Sequence, residues 1–144
     1  MPTDFETQRR IEFADTDMAG IVHFANFFRF MEAAEHEFVR TLGLTLHTES
    51  DGRMLGFARV HAECDYKAPL RYQDLVAIRL RVVEKRASTV SYEFRFLREP
   101  ERTESARGLL TVCCVARENG SDRIRPVPLP AEFERLVGPS SAPA

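Results

Sequence analysis

The sequence predicts an α+β domain built from one long helix and one antiparallel sheet. Three observations carry that prediction. The stretch from Asn26 to Leu42 repeats apolar residues at helical spacing. Four later segments either alternate apolar and polar residues with the two-residue period of strands or run apolar throughout. Turn-forming residues separate those segments at Pro69 to Asp74, Lys85 to Ser88, Pro100 to Thr103 and Asn119-Gly120.

In chain order, the first predicted strand is Gln8 to Ala14, where Ile11 and Phe13 alternate with Arg10 and Glu12. A turn-rich stretch, DTDMAG, follows. The helix places Phe27, Phe30, Met31, Ala34, Phe38 and Leu42 on one face, with Arg29, Glu32, Ala33, His36, Glu37 and Arg40 on the other. Gly43 supplies its stop, because only glycine enters the left-handed region without a Cβ penalty. A polar loop, His47 to Arg53, leads to predicted strands at Phe57 to Tyr66, Leu75 to Val83, Val90 to Leu97 and Gly108 to Ala116. The last of these is nearly all apolar, as a strand covered on both faces should be. Pro130 opens a short helix over Ala131 to Val137, and the tail GPSSAPA, residues 138–144, should be flexible.

A chain of 144 residues suits one domain, predicted over residues 1–137. Twenty Lys and Arg against 22 Asp and Glu leave a formal charge of −2, which excludes a strongly basic nucleic-acid binder. No run approaches the ~18 apolar residues of a membrane span, and the N-terminus has no secretory pattern, so the expected location is the cytoplasm. Cys64, Cys113 and Cys114 form no zinc-type pair; in strand-like surroundings they read as small buried hydrophobes in a reducing compartment.

Chemistry is concentrated in FADTDMAGIVHFANFF, which places Asp15 and Asp17 just ahead of the long helix. A helix N-terminus offers free backbone N–H groups and partial positive charge, suited to a carboxylate or a developing oxyanion. Gly20 lets the backbone approach a ligand closely. On residue types alone, the two aspartates are equally turn formers or caps.

The run DTDMAGIVHFANFFRFMEAAEHEF resembles the hot-dog-fold acyl-CoA thioesterases of the 4-hydroxybenzoyl-CoA thioesterase family, whose signature is Asp-x-Asp-x-x-Gly-hydrophobic-Val leading into the central helix. The likeness continues through DYKAPLRYQD and EKRAS to RIRPVPLPAEFE, roughly residues 8–137. It implies a long central helix wrapped by a five-stranded antiparallel sheet. It makes Asp17 the catalytic carboxylate, as nucleophile or general base, with backbone amides near His23 and Phe24 polarising the thioester carbonyl. Relatives often carry a tyrosine just after the Gly-hydrophobic-Val run, where this chain has His23-Phe24. By position it also assigns Lys85 and Arg86 to the phosphates of CoA. The substrate would be an acyl-CoA, CoA belonging to the substrate with no further cofactor. Family members assemble as dimers and often homotetramers, with sites at the protomer boundary.

The chemistry needs only one carboxylate. A thiolate of pKa ≈ 8.5 leaves without a strong acid, so attack and oxyanion stabilisation remain. His23 could orient water or simply pack; Asn26 could cap the helix or bind near the thioester. Glu32, Glu35 and His36 read as a salt-bridged surface, with either glutamate the fallback carboxylate. His61, Glu63 and Asp65 share a strand face that is solvated or in subunit contact, and no metal site is expected. The apolar strand Leu109 to Val115 suggests a subunit interface. The alternative function is a non-catalytic acyl-CoA-binding or regulatory protein with the same fold.

Overall fold

The computed structural model describes residues 4–50 and 52–139. The apolar stripe forms helix α1, Asn26–Thr41, burying Phe27, Phe30, Met31, Ala34, Glu35, Phe38 and Val39. Its end is a Schellman motif: Gly43 at φ 76° donates to the Arg40 carbonyl, and Leu44 to the Val39 carbonyl.

The strands are β1 (Asp4–Arg10), β2 (Thr48–Ser50), β3 (Arg53–Tyr66), β4 (Leu75–Lys85), β5 (Thr89–Arg98), β6 (Thr103–Glu118) and β7 (Arg125–Pro126), followed by helix α2 (Ala131–Leu136). They form one antiparallel sheet in the order β1-β4-β5-β6-β3-β2, with β7 paired to β6. Since β1 and β2 lie at opposite edges, the chain joining them must cross the sheet, and α1 is that crossing. Val76, Ile78, Leu80 and Val82 of β4, Tyr92, Phe94 and Phe96 of β5, and Leu110, Val112 and Cys114 of β6 form a single core cluster with the helix. The helix sits close at Gly108, where an added Cβ would collide with the Met31 thioether.

The sheet has seven strands, not five: β2 and β7 are too short for periodicity to register. The first strand lies earlier than Gln8 to Ala14. Ile11 leaves the ladder to donate to the Asp74 carbonyl, and Phe13–Asp15 closes as a 3-10 turn. In β3 a bulge between Arg59 and His61 reverses the alternation, leaving Val60 outside. In the apolar run of β6, Leu110, Val112 and Cys114 belong to the core cluster, while Leu109 and Val115 are half-buried. Of the predicted tail, Gly138 is buried and residues 140–144 lie outside the described residues.

Glu35 is the other correction: it is not on the surface but 0% exposed, at the helical spacing of Met31 and Phe38. Arg59 of β3 reaches in, with Nη2 2.6 Å from one carboxylate oxygen and Nη1 3.1 Å from the other. Burial raises the Glu35 pKa to about 7 despite that partner. The folded protein therefore retains a proton that the unfolded chain releases near 4.5. This contribution to stability is full below 4.5 and is lost as pH rises through 7, on the order of 3 kcal/mol. Between pH 5 and 8, Tm should fall further for the wild type than for Glu35→Gln. Equal slopes would show that Glu35 does not titrate in this range.

Candidate active site

The loop before α1 is a small hairpin. Thr16 and Val22 form a bridge, and the Asp17 N–H donates to the Ile21 carbonyl at 2.9 Å. Gly20, at φ 81°, closes the turn by donating to the Asp17 carbonyl. The Ala19 N–H donates to Asp17 Oδ1 at 2.9 Å, orienting that carboxylate; Oδ2 has no hydrogen bond among the described residues. The hairpin docks on the segment after β3: Val22 donates to the Leu70 carbonyl, and Ile21 bridges Arg71.

Asp15 ties this hairpin to the helix. Its carboxylate accepts from the Glu12 N–H at 2.8 Å, while its carbonyl accepts from the His23 N–H at 2.9 Å and the Asn26 side-chain amide at 2.8 Å. Asn26 is thus a loop-to-helix tie rather than a cap; the N-cap is Ala25, which makes no side-chain bond. His23 Nδ1 accepts from the Ala25 N–H at 3.2 Å, and its ring stacks on Phe24. The two expected backbone donors therefore differ. His23 N–H is committed to Asp15, whereas Phe24 N–H has no partner among the described residues.

Asp17 and Phe24 open onto one cleft of about 410 Å³, whose walls include Val22, Phe27, Tyr66 and Leu70. Lys67 stands at its wall and pairs with Glu104 at 3.0 Å. Tyr66 and Lys67 were not singled out from the sequence; their signal lay in DYKAPLRYQD, which has no catalytic residue type in a recognisable pattern. The Tyr66 hydroxyl donates to the Phe24 carbonyl at 3.0 Å, and its ring meets Phe27 edge-on at 5.2 Å. Burial, then the Cys64 thiol, raises its pKa to about 12.

The remaining expected residues lie elsewhere. Lys85 ends β4 and is not among the residues lining this cleft. Its ammonium donates to the carbonyls of Glu134 (2.9 Å) and Val137 (2.6 Å), closing α2. Arg86 is exposed and paired with Glu84 at 3.0 Å. Glu32 and His36 line a separate cleft against β3, and Glu35 is enclosed, so neither glutamate joins Asp17. His61 pairs with Glu63 at 2.8 Å. Among the described residues, no three His, Cys, Asp or Glu side chains gather as a metal site, and no helix is long and apolar enough to cross a membrane.

A long helix crossing a curled antiparallel sheet, with a carboxylate and a free amide at the helix head, defines the hot-dog fold with a site at its helix N-terminus. Residues 11–137 match the thioesterase-like superfamily, and the chain belongs to that family. It is 29% identical over 125 residues to the acyl-CoA thioesterase YbgC of Haemophilus influenzae, covering 87% of this chain and 88% of that protein. A 1,4-dihydroxy-2-naphthoyl-CoA hydrolase of Synechococcus elongatus is 37% identical over 79 residues, 54% of this chain and 58% of that one. Among solved structures, a 4-hydroxybenzoyl CoA thioesterase mutant complexed with 4-hydroxybenzoyl CoA superposes with TM-score 0.80 at 23% identity, covering 94% and 99% of the two chains.

Lys85→Ala should lower stability by about 2 kcal/mol, since two helix carbonyls lose a charged donor, while KM for an acyl-CoA stays within twofold. Thermal melts and steady-state kinetics check this. A raised KM at unchanged Tm would assign Lys85 to the substrate instead.

Proposed function

We propose that this chain is an acyl-CoA thioesterase, hydrolysing a thioester to a free acid and CoA. The observation that carries the reading is the pairing, across one apolar cleft, of the Asp17 carboxylate with the unpartnered Phe24 N–H. A thioester carbonyl seated there would meet a hydrogen-bond donor at its oxygen, with a carboxylate available to its carbon. As negative charge develops on the oxygen, the Phe24 N–H and the positive end of α1 stabilise it. Asp17 either attacks the carbon itself or removes a proton from the attacking water. The thiolate departs without an acid, so no side chain has to protonate the leaving sulfur.

The family relationship supports the same class, since its named relatives act on CoA thioesters. His23 contributes through its backbone tie and its stacking on Phe24, Gly20 through the turn that presents Asp17, and Asn26 through its bond to Asp15. Arg86 keeps an exposed guanidinium that could reach a nucleotide phosphate only across a protomer boundary.

Assembly is part of the proposal. Only the first residues of β3 are paired by β2, so among the described residues its stretch 56–66 pairs with β6 alone and presents an open edge. Exposed apolar side chains (Phe13, Met18, Phe24, Val60, Tyr66 and Tyr72) lie along that edge and in the two loops around the cleft. A homo-oligomer, dimer or tetramer, would cover both. Light scattering at micromolar concentration should give two or four times 16.5 kDa. A catalytically active monomer would overturn the assembly.

Asp17→Asn keeps shape but removes the nucleophile or base. Against a panel of acyl-CoAs, thiol release followed with Ellman's reagent should fall by at least about a hundredfold, ~2.7 kcal/mol of barrier, with melting unchanged. Retention of more than about a tenth of kcat, ~1.4 kcal/mol, would remove Asp17 from the chemistry.

A further inference from the structure

We infer that Tyr66 is a positioning residue for the hydrolysis, anchoring the peptide that follows Phe24 so that the Phe24 N–H is held toward the cleft. The inference rests on the reading of that N–H as the oxyanion donor. The N–H lies in the His23–Phe24 peptide, and that peptide pivots on the Phe24 Cα, so its direction holds only if the peptide on each side of that Cα is held. The preceding one is fixed because the His23 carbonyl accepts from the Asn26 N–H at 2.9 Å. The C=O and N–H of a trans peptide point in opposite directions, so the Phe24 N–H is turned away from the helix interior. The following peptide lacks a comparable backbone bond: the Phe27 N–H reaches the Phe24 carbonyl only at 3.4 Å, at the long limit for an N–H···O bond. The Tyr66 hydroxyl completes it at 3.0 Å.

The anchor is itself well founded. Tyr66 ends β3 opposite Ala106, and the next two N–H groups, of Lys67 and Ala68, both donate to the Ser105 carbonyl at 2.8 and 3.1 Å. Its ring packs edge-on against Phe27, which is 4% exposed and rests in turn on Phe96 of β5. Tyr66 therefore transmits the rigidity of the sheet to the one turn at the helix head that the helix does not hold. With its pKa raised to about 12, the phenol remains a donor across the working range. A phenolic donor is required because the acceptor is a carbonyl; a phenylalanine would keep the packing and lose the anchor.

The test is Tyr66→Phe, with Tyr66→Leu alongside to separate ring from hydroxyl. An anchor acting on transition-state stabilisation should lower kcat about tenfold in Tyr66→Phe with KM within about twofold, because uniform binding is untouched. Backbone ¹⁵N relaxation should show residues 23–25 gaining mobility while the melting temperature holds. Wild-type kcat in Tyr66→Phe with loss only in Tyr66→Leu would overturn the proposal, leaving the ring as mere packing. A raised KM at unchanged kcat would also overturn it, making Tyr66 a substrate contact. Increased mobility without loss of kcat would overturn it through the Phe24 assignment. Reduced kcat without increased mobility would overturn the anchoring and leave that assignment intact.

Discussion

The carbonyl of Asp15 receives two hydrogen bonds at the head of the long helix, one from the His23 backbone and one from the Asn26 side chain. Its carboxylate, in the same buried residue, holds the Glu12 N–H. Three pieces of chain that would otherwise move independently thus meet at one residue: the exit from β1, the hairpin that carries Asp17 and the first turn of α1. Breaking this junction would leave Glu12 N–H, His23 N–H and the Asn26 amide to find water. Asp15 is only 6% exposed, so its own polar atoms would lose partners at the same time. The first aspartate of the pair is structural, and the chemistry we propose falls to the second.

Fixing the helix head is useful only if the helix body is fixed too. The glycine at position 108 lets the Met31 side chain lie directly on the sheet, and the aromatic residues Phe27, Phe30 and Phe38 fill the space on either side. Against this apolar background the Glu35–Arg59 pair stands out. Burying a carboxylate costs several kcal/mol that one guanidinium repays only in part, which agrees with the direction of the Glu35 shift. The buried Tyr92 hydroxyl, whose pKa is also raised by burial and by the Glu35 charge, has no hydrogen bond among the described residues. The core therefore retains polar groups that do not raise its stability at neutral pH. What the pair does supply is registry, because Arg59 lies at the β3 bulge and reaches one particular turn of α1.

Strong periodicity made the main architecture legible. The helix was placed to within a residue, and β4 and β5 to within two, because each carries an uninterrupted pattern on one buried face. Failures fall where a single contact overrides the pattern. Ile11 is as buried as its alternation demanded, yet it pairs with a loop carbonyl and not with a strand. Val60 is apolar and outside because a bulge inserts one residue. Glu35 sat on the apolar stripe by spacing and was judged by its charge. At the candidate site, the motif ahead of the helix named Asp17 and Phe24, which line one cleft. The occupied state of the His23 amide was not legible, since it depends on which carbonyl the loop brings near. Lys85 carries the right charge for a phosphate, but the helix carbonyls it closes come from residues some fifty positions later. Tyr66 was invisible for the same reason: its partner is 42 positions away, and a hydrogen bond to a backbone carbonyl leaves no mark on the sequence of the accepting residue.

The division between rigid and exposed parts follows from the reaction. Thioester hydrolysis asks for little proton traffic, since the leaving thiolate is stable, so the mechanism we propose needs only one donor and one carboxylate in place. Both are carried on short loop segments, which by themselves would be poorly ordered. Each is cross-braced at the exit of β3: the hairpin through Val22 to Leu70 in the segment that follows it, and the helix head through Phe24 to Tyr66 at its end. The braces come from the single stretch that leaves β3, so the two halves of the site are referred to one piece of the sheet and keep their separation when the loops fluctuate. That same stretch continues the open edge of β3. In the assembly we propose, a partner strand added there would stiffen the support of both Asp17 and Phe24, coupling the geometry of the candidate site to assembly without any residue of the partner having to touch the reacting atoms.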